Sequence, residues 1–166
     1  MAIHRLLFIC LGNICRSPMA EGVFRRVIEE EGLAERFEIE SAGLGDWHVG
    51  QPPDIRAQAA AEARGIDISG QCARQVEGTD FSRFDLLVVM DRSNYAELRR
   101  RAPREVHAKI RHFLEFAPHV GTKDVPDPFF GGAEGFDQAL DLIEAAAQGL
   151  LASLVGEESL PAKPGA

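Results

Sequence analysis

The sequence is short of cysteine, of positive charge and of long apolar runs, and each shortage excludes a class of protein. Three cysteines in 166 residues, unevenly spaced, are too few for a disulfide framework. Lys and Arg number 18 against 26 Asp and Glu, a net charge of -8. That balance opposes the basic field typical of nucleic-acid binders, so no nucleic-acid partner is expected. The one local basic stretch, RRRAPREVHAKIRH at 99–112, reads as a solvated helix end with its cations near the C-terminus. No apolar run approaches the ~20 residues of a membrane span, so no membrane insertion is expected. A basic segment followed by an apolar run and a small-residue cleavage site is missing, and with it the expectation of a signal peptide. The histidines, at 4, 48, 107, 112 and 119, show no metal-ligand spacing, and no metal is expected. What remains is a cytoplasmic protein with reduced thiols.

What is present is ordinary globular composition, 45% hydrophobic and 27% charged. A chain of this length fits one domain and hides roughly 70% of its unfolded surface. The expected division is a domain over 1–156 and a flexible C-terminal tail over 157–166. RLLFIC (5–10) reads as a buried strand. Pro18 suits a first helical turn, and apolar residues at helical spacing run from Met19 to Ile28, stopping near Gly32. FEIESAG (37–43) alternates like a strand, and SAGLGDWHVGQPP (41–53) is a loop rich in turn signals. A helix is expected over Ala57–Ala63, a strand in DLLVVMD (85–91), and a helix capped by Ser93 running through Arg101. A fourth strand falls around Ile110–Leu114, and a long helix runs from Phe136 to Leu154 after the loop DVPDPFFGGAEGF (124–136). Strands alternating with helices predict an α/β fold, a parallel sheet covered on both faces. Ligands of such sheets bind beyond the carboxyl ends of the strands, where CLGNICRSP (10–18) falls.

That loop has the chemistry of a phosphate cradle. A turn leading into a helix N-terminus aims several backbone N–H groups at one anion. Gly12 permits unusual backbone angles, and Asn13 tolerates left-handed geometry and can tie the loop to itself. Arg16 offers a planar fork matching two phosphate oxygens. Thiols among such donors ionise readily, which makes Cys10 a nucleophile beneath the bound phosphorus, with Ser17 able to donate to its thiolate. Attack on a phosphate ester also needs an acid for the leaving oxygen. Asp127, between Pro126 and Pro128 in VPDPFFGG, is the candidate.

CLGNICRSP with the late DPFF, and SAG…DW…G…PPD and FDLLVVMD between them, resembles the low-molecular-weight protein tyrosine phosphatases over roughly residues 4 to 155. The resemblance implies a single three-layer domain with a four-stranded parallel sheet in doubly wound order, a phosphate-binding loop between strand 1 and helix 1, and no cofactor. It implies that Cys10 attacks phosphotyrosine and becomes phosphocysteine, that Arg16 clamps the phosphoryl oxygens, and that Asp127 protonates the phenolate and then activates water. Leu11, Gly12, Asn13, Ile14, Cys15 and Ser17 complete the loop, and Trp47 and Phe129 wall a cleft for the aromatic ring. Cys15 is implied as a reversible disulfide partner that shields Cys10 from overoxidation. Substrates are phosphotyrosine proteins and small aryl phosphates, and inorganic phosphate is both product and inhibitor. The chain is expected to act as a monomer or weak dimer.

The chain departs from relatives in places. Phe129 and Phe130 stand where animal members often carry two tyrosines, and Gln71 stands near a position where some carry histidine. Three other activities are weighed. Arsenate reductases on this fold need a downstream cysteine pair, and only Cys72 follows the loop. Arginine-phosphate phosphatases of the family tend to have threonine where Ile14 stands. Cys10, Arg16 and Asp127 together argue against a phosphate-binding or redox-sensing module without turnover.

Overall fold

The computed structural model describes residues 3–157. The proposed tail lies outside this range except for its first residue, Glu157, which ends the last helix. Four strands form one parallel sheet: β1 (His4–Cys10), β2 (Phe37–Gly43), β3 (Leu86–Val89) and β4 (Ile110–His112), in spatial order β2-β1-β3-β4. β1 pairs with β2 from His4↔Phe37 to Cys10↔Gly43 and with β3 from Leu6↔Leu86 to Ile9↔Val89. The chain leaves β1 for one side of the sheet and later crosses to the other, so β1 and β3 flank the switch point where such sheets bind ligands.

Alternation along β1 divides the core. Leu6, Phe8 and Cys10 face one layer with α1 (Arg16–Glu30), α2 (Ile55–Glu62) and α5 (Ala133–Glu157). Leu7 and Ile9 face the other, with Phe84, Leu87, Val89 and Leu98. Between β2 and β3 lies a short helix, α3 (Asp80–Arg83), which periodicity does not reveal, and α4 (Arg92–Arg101) covers the second layer. The cap of α4 is Asp91, whose carboxylate accepts the Asn94 amide at 2.7 Å. Ser93, expected there, already lies inside the helix. The expected fourth strand stops at His112, and residues 113–116 form a tight turn that buries Phe113 and Leu114 under α5.

By length and composition α5 is apolar enough to cross a membrane, which its sequence, read as runs, did not show. In this fold its apolar stripe, including Phe136, Leu140, Ile143 and Leu150, is core. Gly149 lets α5 approach the 113–116 turn, because a Cβ there would run into the Phe116 carbonyl oxygen.

Candidate active site

β1 ends at Cys10 in the middle of the sheet, and the chain turns at once into α1, whose first turn carries no acidic residue. The nucleophile candidate therefore sits at the positive end of a 15-residue helix. Its sulfur lies 3.0 Å from Ser17 Oγ and receives the Asn13 amide at 3.3 Å. The direction of the Ser17 contact follows from its neighbour. Ser17 Oγ accepts Asn13 Nδ2 at 2.8 Å, so its own proton is free to point at the sulfur. The alternative acceptor, the Ala42 carbonyl, is at 3.5 Å, the outer limit of a hydrogen bond.

Asn13 is the structural centre of the loop. Its φ of 58° makes it the non-glycine residue in left-handed conformation among those described. The expected freedom of Gly12 is thus used elsewhere: Gly12 is needed for room, since a Cβ on it would press on the His48 ring at 3.0 Å. Besides Ser17, Asn13 Nδ2 donates to Ser41 Oγ at 2.9 Å, and Asn13 Oδ1 accepts the Arg74 amide at 2.9 Å. Ser41 donates to Gln71 Oε1 at 3.3 Å, and Gln71 Nε2 donates to the Pro18 carbonyl at 2.9 Å. The glutamine that departs from relatives with histidine still ties the loop to α1.

Arg16 is 2% exposed. Its Nη1 donates to Asp91 Oδ2 at 2.6 Å and to the Val125 carbonyl at 2.9 Å, and its Nη2 lies 3.5 Å from Asp127 Oδ2. Burial disfavours the cation, but Cys10, Asp91 and Asp127 outweigh it and hold the guanidinium protonated, its pKa raised. Asp91 performs two tasks, capping α4 with one oxygen and holding Arg16 with the other. Sequence reasoning missed its role, although its place just beyond the strand beside β1 was the available signal.

Asp127 caps the tight turn Pro128–Phe130, accepting the Phe129 amide at 3.1 Å. The turn is latched by Arg56, also missed in the sequence. Arg56 donates to the Phe129 and Gly131 carbonyls at 2.9 and 3.1 Å, pairs with Asp54 at 3.0 Å, and lies over the rings of Phe129 and Phe136. Asp54 in turn donates its amide to the Ile14 carbonyl at 2.8 Å, so the latch joins the acid loop to the phosphate loop.

A pocket of about 230 Å³ opens over Cys10. Of the predicted residues, Cys10, Leu11, Gly12, Ile14, Cys15, Arg16, Trp47, Asp127 and Phe129 line it, while Asn13 and Ser17 are buried beneath. His48 and Phe130 join the lining unpredicted. No spacing marks His48 in the sequence. Its ring lies 6.2 Å from that of Phe129. Cys15 is buried, and burial, then Asp54 and Cys10, push its thiol far above the usual range. It is a neutral thiol beside the nucleophile.

The chain is similar to known proteins over most of its length. The family model described as low molecular weight phosphotyrosine protein phosphatase matches residues 5–160. The chain is 46% identical over 154 residues to a low molecular weight protein-tyrosine-phosphatase of Streptomyces coelicolor, covering 91% of this chain and 93% of that protein. A protein tyrosine phosphatase structure from Entamoeba histolytica superposes with a TM-score of 0.90 at 39% identity, covering 95% of this chain and 99% of that one. YfkJ from Bacillus subtilis gives 0.89 at 37% identity, with 96% and 99% covered.

Proposed function

Because the chain belongs to the low molecular weight phosphotyrosine protein phosphatase family, we propose that its hydrolysis of phosphotyrosine runs through Cys10, Arg16 and Asp127. The carrying observation is the surrounding of one sulfur: the Ser17 hydroxyl oxygen at 3.0 Å, the Asn13 backbone nitrogen at 3.3 Å, and a buried arginine and a carboxylate in the same pocket. The Cys10 thiolate attacks phosphorus in line with the ester oxygen, forming the S–P bond as the P–O bond breaks. Asp127 gives its proton to the departing phenolate. The resulting carboxylate takes a proton from water, whose oxygen attacks phosphorus and expels the thiolate, releasing inorganic phosphate. Backbone amides of the loop and the Arg16 fork hold the charge that spreads over the equatorial oxygens. Arg16 Nη1 is occupied by Asp91 and Val125, so the edge that meets phosphate is Nε–Nη2.

Trp47 and Phe129 flank the path to Cys10, and a long flat aryl ester reaches the sulfur where a short alkyl one does not. Inorganic phosphate competes for the same loop. The catalytic unit is 1–156 acting as a monomer or weak dimer, and a free catalytic thiol suits the reducing cytoplasm. Cys15 serves as redox partner: a Cys10 sulfenic acid formed by peroxide condenses with the Cys15 thiol, giving a disulfide and water.

The test is turnover of phosphotyrosine peptide, phosphoserine peptide and arsenate by wild type and Cys10→Ser. Phosphotyrosine hydrolysis lost in the variant, with phosphate binding kept, is the expected result. Residual turnover in a clean preparation would remove Cys10 as nucleophile, and thiol-dependent arsenate reduction would replace the reaction.

A further inference from the structure

Six large hydrophobic side chains are exposed among the described residues, and five of them, Leu11, Trp47, Val49, Ile55 and Phe130, lie in three segments, 10–16, 46–56 and 127–131, each of which contributes some residues to the pocket lining. The sixth, Ile3, is at the start of the described chain. Leu11, Trp47 and Phe130 line the pocket itself. Val49 follows Trp47 by two residues, and Ile55 stands between Asp54 and Arg56, whose guanidinium is bonded to the Phe129 and Gly131 carbonyls. Phe130 is 91% exposed, Ile55 79% and Trp47 65%. Single exposed apolar residues need no explanation, but a grouped set around a pocket marks an interaction surface.

Resting on the phosphatase reading, we propose that this collar docks the residues flanking phosphotyrosine, and that its substrates carry apolar side chains there. Charge selects that occupant. The two arginines in these segments are committed, Arg16 to Asp91 and Val125 through Nη1 and to the phosphoryl group through its other edge, and Arg56 to Asp54 and two carbonyls. Asp46 is exposed beside Trp47, and the whole chain carries a charge of -8. An acidic flank therefore meets repulsion and no uncommitted arginine or lysine among the described residues of these segments, whereas an apolar flank covers exposed carbon beside the ring-binding walls. Phe130 packs edge-on against Phe129 at 5.0 Å, so the collar and the pocket wall are one surface.

The experiment compares matched phosphotyrosine peptides with Leu and Val, with Ser, or with Asp and Glu at the flanking positions, alongside phenyl phosphate. Wild type should favour the apolar peptide over the Ser peptide by about tenfold in kcat/KM, the scale of one or two apolar contacts, and the acidic peptide should rank last. In Val49→Ser/Ile55→Ser that preference should shrink toward unity, and Ile55→Thr alone, at an exposed site, should reduce it in part. Equal rates for the three peptides, or a preference unchanged in both variants, would overturn the proposal. So would collar-dependent self-association by sedimentation at the assay concentration, with activity per molecule falling as concentration rises, because the occupant would then be a second copy. Failure to hydrolyse phenyl phosphate and every peptide would instead overturn the phosphatase reading beneath it.

Discussion

Asp91→Asn isolates the dual use of one carboxylate. Oδ1 accepts the Asn94 amide and Oδ2 accepts Arg16 Nη1, at 2.7 and 2.6 Å. Asparagine keeps one acceptor oxygen and replaces the other with a donor, so either the cap or the arginine faces a like group. Losing a cap costs ~1 kcal/mol, and losing a hydrogen bond to a charged group costs ~1.5–3 kcal/mol. Breaking a fully buried pair would cost ~3–5 kcal/mol, but the Asp91 side chain is 20% exposed and Arg16 keeps the Val125 carbonyl. The expected loss is then ~2–3 kcal/mol, or about 4–12 °C in Tm for a domain of this size. The kcat for an aryl phosphate should fall as well, because the fork of Arg16 loses its anchor. Thermal melts and steady-state kinetics on the purified variant give both values, with Ser93→Ala as a control expected within about 0.5 kcal/mol of wild type. A variant that melts with wild type and turns over at the wild-type rate would refute the assignment of Asp91 to Arg16.

Asp127→Asn should slow hydrolysis by ~10²–10⁴-fold, and Arg56→Gln should lower kcat by less, with a larger effect on poor leaving groups. The double variant should be no slower than Asp127→Asn, since the latch acts through the acid; additive losses would place Arg56 in another role. Stability should fall with acid in two stages. Burial, with Lys123 nearby, depresses His112 below the ordinary 6.5. Arg100 and Arg101 hold Glu97 down to about 2, and Arg83 and Arg5 lower Glu38, against an ordinary 4.5. Each folded value lies below the unfolded one, so each contribution is present above the unfolded value and lost below it. Tm measured from pH 8 to pH 3 should drop first below ~6.5 and again below ~4.5, and a flat profile would contradict the pairings. Gly149→Ala should destabilise by ~1–3 kcal/mol through overpacking against the Phe116 carbonyl, although alanine is the better helix former; denaturant melts read the sign.

The legible parts of the molecule were those written in local pattern. The bounds of β2 match FEIESAG because its ends are marked by turn signals, and the phosphate loop was legible because cysteine, arginine and serine fall between a strand and a proline. The α4 cap was misread by two residues because Asp and Ser are both good caps and only the extended backbone at Asp91 decides between them. Residues 113–114 looked like strand because burial under α5 leaves the same apolar signature as a sheet. Asp91 carried only its place at a strand end as a signal, whereas Arg56 and His48 were invisible for one reason. Each reaches the site from an element distant in sequence, and no spacing records which loops meet.

The position of α5 sets an order on synthesis. It is the last described element, yet it packs over the layer that holds Phe8, Phe24, Phe113 and Cys10. A nascent chain still lacking it presents those rings to the cell, a surface that invites chaperones or aggregation. The layer that holds Cys10 is therefore closed only once α5 has been made.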